Sequence, residues 1–364
     1  MAGNDIKQNL RKLDFPFCTR EALCRIEILC GRPGKQMDLQ LDLISEFVFG
    51  EIERRKKRNQ TIAIQELQLI EILSDFFQSP GGSAAVRNAV FLSLFPADSV
   101  RYTILGNLVS LAIVTQNKAV LNATGIWMQQ LGSTSSQSVG LARLVLNDYF
   151  VLFPKTIDKL NQLPTLAPHF TANLLTAIGE VYKDKDPPTE LLVLIDEWIN
   201  ENPSLLLTPL MDNPALPTGG IPMTPITPIA GLFRWCILSS IRSCQMKNIE
   251  NDTEERKKLY SKIQQLLMDS VLRLKNGGNN KHAISAQHFA ATTRMLTAGL
   301  QSQSNIDTPS RDLAMERLAQ AVSAAMSANC IYGNKQELLA LLQPLAYQHF
   351  LIEWTLQTYA SKAT

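Results

Sequence analysis

Seven prolines between Pro203 and Pro228 set the strongest constraint on how this chain can fold. They are Pro203, Pro209, Pro214, Pro217, Pro222, Pro225 and Pro228. Proline has no backbone N–H and turns the residue before it away from helical geometry, so no regular helix is expected through Pro209–Pro225. The residues between them do not have a linker composition. Leu205, Leu206, Leu207, Leu210, Met211, Leu216, Ile221, Met223 and Ile226 are large and aliphatic, whereas disordered linkers are poor in side chains that need burial. We therefore expect Pro203–Thr227 to be an ordered, extended connector. It would hold an N-terminal helical arm (residues 1–202) and a C-terminal helical arm (residues 228–364) in one relative position. Thr227-Pro228 suits the cap and first position of a helix. That helix is expected over Ile229–Cys244, with Leu232, Phe233, Cys236, Ile237 and Ile241 on its apolar side. Arg234 falls in another sector and is the candidate surface residue for an acidic partner group. Trp235 reads first as core and second as a partner anchor.

Away from the prolines the period is helical throughout. Ile62–Gln78 places Leu69, Ile72, Leu73 and Phe76 at i, i+3, i+4 and i+7, with Gln68, Glu71, Asp75 and Gln78 opposite. Helices are also expected over Thr19–Cys30, Asp38–Glu53, Ala84–Phe95 with Ser83 as cap, Asp98–Thr115 with Asp98 as cap, and Lys118–Leu131. They continue over Leu141–Phe153, Thr156–Leu163, Ala167–Tyr182 and Leu191–Asn200, where Trp198 would anchor a helix pair. The C-terminal arm would hold Asp252–Leu274, His282–Gln301, Ser310–Ala328, Lys335–Leu342 and Leu345–Ala360. Gln245–Thr253 reads as a mobile polar stretch and Lys183–Pro188 as an exposed loop. No alternating strand pattern with Asn-Gly turns occurs. About fourteen helices joined by short loops imply an all-α chain of irregular stacked helical hairpins, a HEAT/armadillo-like α-solenoid.

The motifs that carry chemistry are missing. No Gly-x-Ser-x-Gly, Walker loop, His-Glu-x-x-His, dinucleotide glycine pattern or EF-hand loop is present. Gly31-Arg-Pro-Gly-Lys35 lacks the strand and the Gly-Lys-Ser/Thr that a phosphate loop needs. Glu71 and Asp75 have no histidine beside them, so they read as a solvated helix face rather than a metal or acid–base pair. Asp148-Tyr149 reads as a cap or surface pair. His282 and His288 are six residues apart, not the three or four of a ligand pair on one helix face. The six cysteines include no Cys-x-x-Cys, which points to reduced thiols in a nuclear or cytosolic protein. No catalytic, cofactor or metal residues are assigned, and an enzyme is not expected. A net charge of +2 draws in neither nucleic acid nor a membrane surface. No apolar run of about 18 residues or signal-peptide core is present.

Arg54, Arg55, Lys56, Lys57 and Arg58 follow one another without interruption. The run is a candidate nuclear import signal; the plainer reading is a solvated loop between helices. It has no interleaved aromatics on which bases could stack, which argues against direct nucleic acid contact.

An ordered set of segments is similar to one known family. The set comprises Glu66–Ile72 with Phe77-Gln78, Leu94-Phe95, Ile104–Ser110, Trp127 with Gln129, Leu141–Arg143 with Asp148-Tyr149, and Trp198-Ile199 with Pro203. It continues with Thr227-Pro228, Arg234-Trp235-Cys236 and Arg317–Ala321. In order and approximate spacing, from about Leu39 to Leu351, the chain resembles the subunit fifteen family of the Integrator complex. Longer members carry a Pro/His-rich tail, and the segment after Cys244 is shorter here, so contacts of those regions are not carried over. The resemblance implies a nuclear, non-catalytic subunit without a small-molecule substrate. Its implied partners are other Integrator subunits: the module of subunits ten, thirteen and fourteen, and the rest of the assembly. The implied process is small nuclear RNA 3′-end formation and termination by RNA polymerase II. The alternatives are a helical adaptor for cargo or transport unrelated to transcription, and an RNA-binding solenoid.

Overall fold

The computed structural model of the chain describes residues 2–31, 37–50, 62–79, 81–211, 215–216, 223–243, 250–274, 282–302 and 306–359. The basic run Arg54–Arg58 lies outside these residues, as do positions 212–214 and 217–222 of the connector and positions 244–249 of the polar stretch after it. The described chain is all-α except for one pair of two-residue strands, β1 (Ile284–Ser285) and β2 (Ile331–Tyr332), which run parallel. In chain order the α-helices are α1 Ala2–Leu10, α2 Phe17–Cys30, α3 Met37–Leu43, α4 Ile62–Gln78, α5 Ala84–Leu94 and α6 Tyr102–Val114. They continue as α7 Lys118–Leu131, α8 Ser136–Asn147, α9 Leu163–Leu166, α10 Pro168–Val181, α11 Thr189–Glu201 and α12 Thr208–Met211. The last six are α13 Ile229–Ser243, α14 Glu250–Arg273, α15 Ala286–Ser302, α16 Thr308–Ser327, α17 Lys335–Ala346 and α18 Phe350–Tyr359.

The helices group into two compact units, neither of them contiguous in sequence. One comprises Met1–Phe170 and Asn213–Thr224; the other comprises Thr171–Asp212 and Pro225–Thr364. In the first, α4 packs on α6 and α7, and α5 on α2 and α7. Phe49, Phe77, Phe91 and Phe95 form its aromatic centre. Beside them the buried Trp127 donates its indole N–H to the Phe95 carbonyl at 2.6 Å. Two polar side chains close helix ends here. Asn117 caps α7 by accepting from the Val120 N–H, and its amide donates to Ser74. Arg87, on α5, donates to the Phe76 and Phe77 carbonyls in the last turn of α4 at 2.6 and 2.7 Å, acceptors that the helix itself leaves unpaired. Gly125 of α7 is needed for close approach, because a Cβ there would meet the Phe170 backbone at 2.9 Å.

Ser83 caps α5 through the Val86 N–H, as the sequence implies. Asp98 does not cap α6, which begins at Tyr102 without a side-chain cap. The helix expected over Leu141–Phe153 changes character after Asn147. Asp148–Leu152 is π-helical, with the Phe153 N–H bonded to the Asp148 carbonyl at 2.8 Å. Asp148 and Tyr149 are tied to α6 rather than acting at the surface. The Ser110 hydroxyl donates to Asp148 at 2.6 Å and the Tyr149 hydroxyl to the Ser110 carbonyl at 3.3 Å, while Val151, Leu152 and Phe153 remain exposed.

The second unit is built around α13, which touches α14, α15 and α16. Every residue from Leu232 to Ile241 is buried, so this stretch of the helix has no solvent face, rather than the single apolar side its period suggests. Serines and a cysteine occupy the tight positions Cys236, Ser239 and Ser240. The connector begins in this unit and is not extended there. Leu205–Leu207 form a buried 3-10 turn that leads directly into α12. Pro209 is tolerated in that first helical turn because its missing N–H would have been unpaired anyway. The Thr227 hydroxyl donates to the Ala283 carbonyl at 2.7 Å, next to β1.

Candidate functional site

Arg234 and Trp235, the two candidate partner-binding residues, lie inside the second unit. Arg234 is 5% exposed, which corrects its expected place at the surface. The sequence shows no partner for it, but the fold supplies one. Its guanidinium donates to the Gly179 carbonyl at 2.5 Å and pairs with Glu180 at 3.0 Å. Gly179 is in the last turn of α10, where carbonyls are unpaired and a cation suits the helix dipole. The approach is close because Gly231 of α13 faces Gly179; a Cβ on Gly231 would stand 3.3 Å from the Gly179 Cα. Trp235 is 1% exposed and meets the Tyr182 ring edge-on at 6.0 Å. Its indole N–H has no hydrogen-bond partner among the described residues. His288 sits in the same neighbourhood, where burial and then the Arg234 charge push its pKa down.

A second polar cluster lies within this unit. The Lys183–Pro188 loop, expected to be exposed, turns Asp186 inward and leaves its side chain 6% exposed. Arg242 from α13 stands 3.5 Å from one Asp186 carboxyl oxygen and Arg256 from α14 stands 3.8 Å from the other. Burial raises the Asp186 pKa, and the two guanidiniums oppose that rise. Arg242 also donates to the Lys183 carbonyl at 2.6 Å, and Arg256 to the Pro187 carbonyl at 2.9 Å and the Thr189 hydroxyl at 3.0 Å. The two arginines therefore hold the loop in place.

Arg317 completes the cluster from α16. It is 3% exposed, and it forms no ion pair with a carboxylate among the described residues. Its guanidinium donates to the Cys236 carbonyl at 2.8 Å, the Ser239 hydroxyl at 2.7 Å and the Ser261 hydroxyl at 2.8 Å. Burial lowers its pKa. Tyr260 of α14 is buried, its pKa raised by desolvation, and its hydroxyl has no partner among the described residues. Asp186, Arg256, Tyr260 and Arg317 line one cavity of about 380 Å³. Burial pushes the Cys236 thiol up to about 12, so it is no nucleophile there.

Sequence reading found Arg317 only as part of a resemblance and missed Asp186, Arg242, Arg256 and Tyr260. One signal was available. Arg317 interrupts the apolar stripe Ala314, Leu318, Ala321 and Ala325 of α16, a position that a solvated arginine would not take. Of the other residues weighed for chemistry, Asp75 pairs with Arg20 at 3.2 Å on the surface, and His282 packs edge-on against Tyr332. No group of three or more metal-binding side chains occurs among the described residues. No helix among them is long and apolar enough to cross a membrane.

These observations define an all-helical protein of two packed units whose buried charges tie helices and one loop together. The chain belongs to the family described as Integrator complex subunit 15, which matches residues 4–347. Similar curated proteins carry the same description. The one from Drosophila melanogaster is 35% identical, over 92% of this chain and 91% of that protein. The one from Danio rerio is 28% identical, over 96% and 80%, and the one from Homo sapiens is 27% identical, over 96% and 86%.

Proposed function

We propose that this chain is a non-catalytic scaffold subunit of the nuclear Integrator complex. On this reading it links the module of subunits ten, thirteen and fourteen to the rest of the assembly. It supports small nuclear RNA 3′-end processing and transcription termination by RNA polymerase II. The reading rests on the family match across residues 4–347. Two further features favour a protein-interaction role. The helices are arranged by packing rather than around a reactive centre, which suits a stacked-hairpin scaffold of the HEAT/armadillo type. In addition, Tyr347, Phe350 and Trp354 are exposed, at 96%, 71% and 51%, and aromatic side chains are the type enriched at interfaces. The test is a mass-spectrometric inventory of nuclear proteins that copurify with the tagged chain. Integrator subunits, with ten, thirteen and fourteen prominent, are the expected result. Recovery of transport or cargo factors without them would refute the proposal, and RNA retained in a strongly salt-dependent way would favour an RNA-binding role instead.

A further inference from the structure

The cavity beside Asp186 carries charge that the described protein does not balance. Two guanidiniums, Arg242 and Arg256, flank one bridging carboxylate, Asp186, and a third, Arg317, stands on the cavity wall without an ion-pair partner among the described residues, so these four groups leave a surplus of two positive charges. Lys185 and Lys257, also on the cavity wall, add to it. Glu316 acts on Arg317 electrostatically but is beyond ion-pair distance and accepts from Gln320 instead. A guanidinium has five N–H donors. Arg317 uses three of them, on Cys236, Ser239 and Ser261, so two remain. The Tyr260 hydroxyl, buried and unpartnered, adds a neutral donor on the same wall.

A buried donor left unpaired is costly, and a buried cation without a counter-charge more so. A ligand that answers both must carry oxygen acceptors and about two negative charges. A phosphate monoester carries roughly −1.5 to −2 near neutral pH and three strong acceptor oxygens, whereas a carboxylate carries one charge. Arginine's planar fork matches phosphate geometry. We propose that this cavity binds a phosphate monoester, with Arg256 and Arg317 holding the phosphoryl oxygens and Tyr260 donating its hydroxyl. At 380 Å³ the cavity exceeds one phosphoryl group, so part of the organic group is accommodated as well, against Pro188 and Leu313. The monoester comes either from a small phosphorylated metabolite or from a phosphorylated side chain of a protein partner; the chemistry read by the cavity is the same.

Isothermal calorimetry on the full chain, at matched ionic strength, tests this with three probes: glycerol 3-phosphate, an acetylated phosphoserine tripeptide, and acetate. Saturable binding of one or both phosphate probes, with acetate much weaker, is expected, and the better probe identifies the source. Tyr260→Phe removes only the unpartnered hydroxyl, so the melting temperature should hold while phosphate affinity falls roughly tenfold, as for one hydrogen bond to a charged group. Arg317→Lys keeps a charge but loses the fork and should weaken binding further. Any of three results overturns the proposal: no saturable heat with either phosphate probe, acetate binding as tightly as phosphate, or unchanged phosphate affinity in Tyr260→Phe.

Discussion

Replacing Trp235 separates its two readings, core residue or partner anchor, with a large signal. The side chain is 1% exposed, and its ring faces Tyr182 at 6.0 Å with the planes 87° apart. Trp235→Ala removes the whole indole from a helical stretch buried on every side, and large-to-small changes of this kind cost about 3–5 kcal/mol. For a domain in the range of 150–250 residues each kcal/mol moves the melting temperature by about 2–4 °C, so the expected fall is roughly 6–20 °C. Trp235→Phe is the control. It keeps a six-membered ring for Tyr182 and removes the smaller ring with its N–H, which has no partner among the described residues; a loss clearly smaller than that of the alanine variant is expected, because less buried volume is removed. Scanning calorimetry of the full chain reads both variants, alongside capture of Integrator subunits from nuclear extract. An alanine variant that melts with the parent but no longer captures those subunits would refute the core assignment and make Trp235 a contact residue.

Three other outcomes are expected. Gly125→Ala would ordinarily gain helix propensity, but its Cβ would stand 2.9 Å from the Phe170 backbone, so the urea midpoint should instead fall by an amount equivalent to about 1–3 kcal/mol; a rise would show that the approach is looser. In alkylation at pH 7.5 followed by mass spectrometry, Cys24, the exposed thiol among the five described cysteines, should react before the other four. Cys236 and Cys330 should stay protected, since burial pushes both up to about 12 and the thiolate is the reactive form; early labelling of either would contradict their burial. Alanine at all five positions Arg54–Arg58 should abolish nuclear accumulation of the isolated tagged chain, and unchanged accumulation by microscopy would return the run to a plain loop.

Local signals carried most of the helix boundaries. Ile62–Gln78 and Lys118–Leu131 match α4 and α7 end to end, because apolar period, caps and breakers lie within one turn of what they determine. The errors arose where a distant residue decides. Asp98 is a good cap by type, yet α6 starts four residues later at Tyr102. Arg234 reads as a surface residue because its acceptors, Gly179 and Glu180, lie more than 50 positions away in the chain and share no pattern with it. The same holds for Asp186, which looks solvated among Lys183, Asp184 and Lys185 until Arg242 and Arg256 are folded onto it. A charged residue is at the surface in most folds, and in this one several join elements instead. The short helices α9 and α12 had too few residues for any period to show.

The enclosure of Leu232–Ile241 in α13 has a consequence for synthesis. A helix without a polar face cannot wait in water as an ordinary amphipathic helix does. Its covering helices α14, α15 and α16 all follow it, and the last ends at Ser327, against Ser243 for α13. At roughly 5–20 residues per second, that interval lasts on the order of 4–17 s on the ribosome. During that time Leu232, Phe233, Trp235, Ile237 and Leu238 are covered only by what the ribosome, a chaperone or the earlier chain provides. Stalling or truncation anywhere between these two points leaves an adhesive segment exposed, so quality control of this protein should centre on its second half.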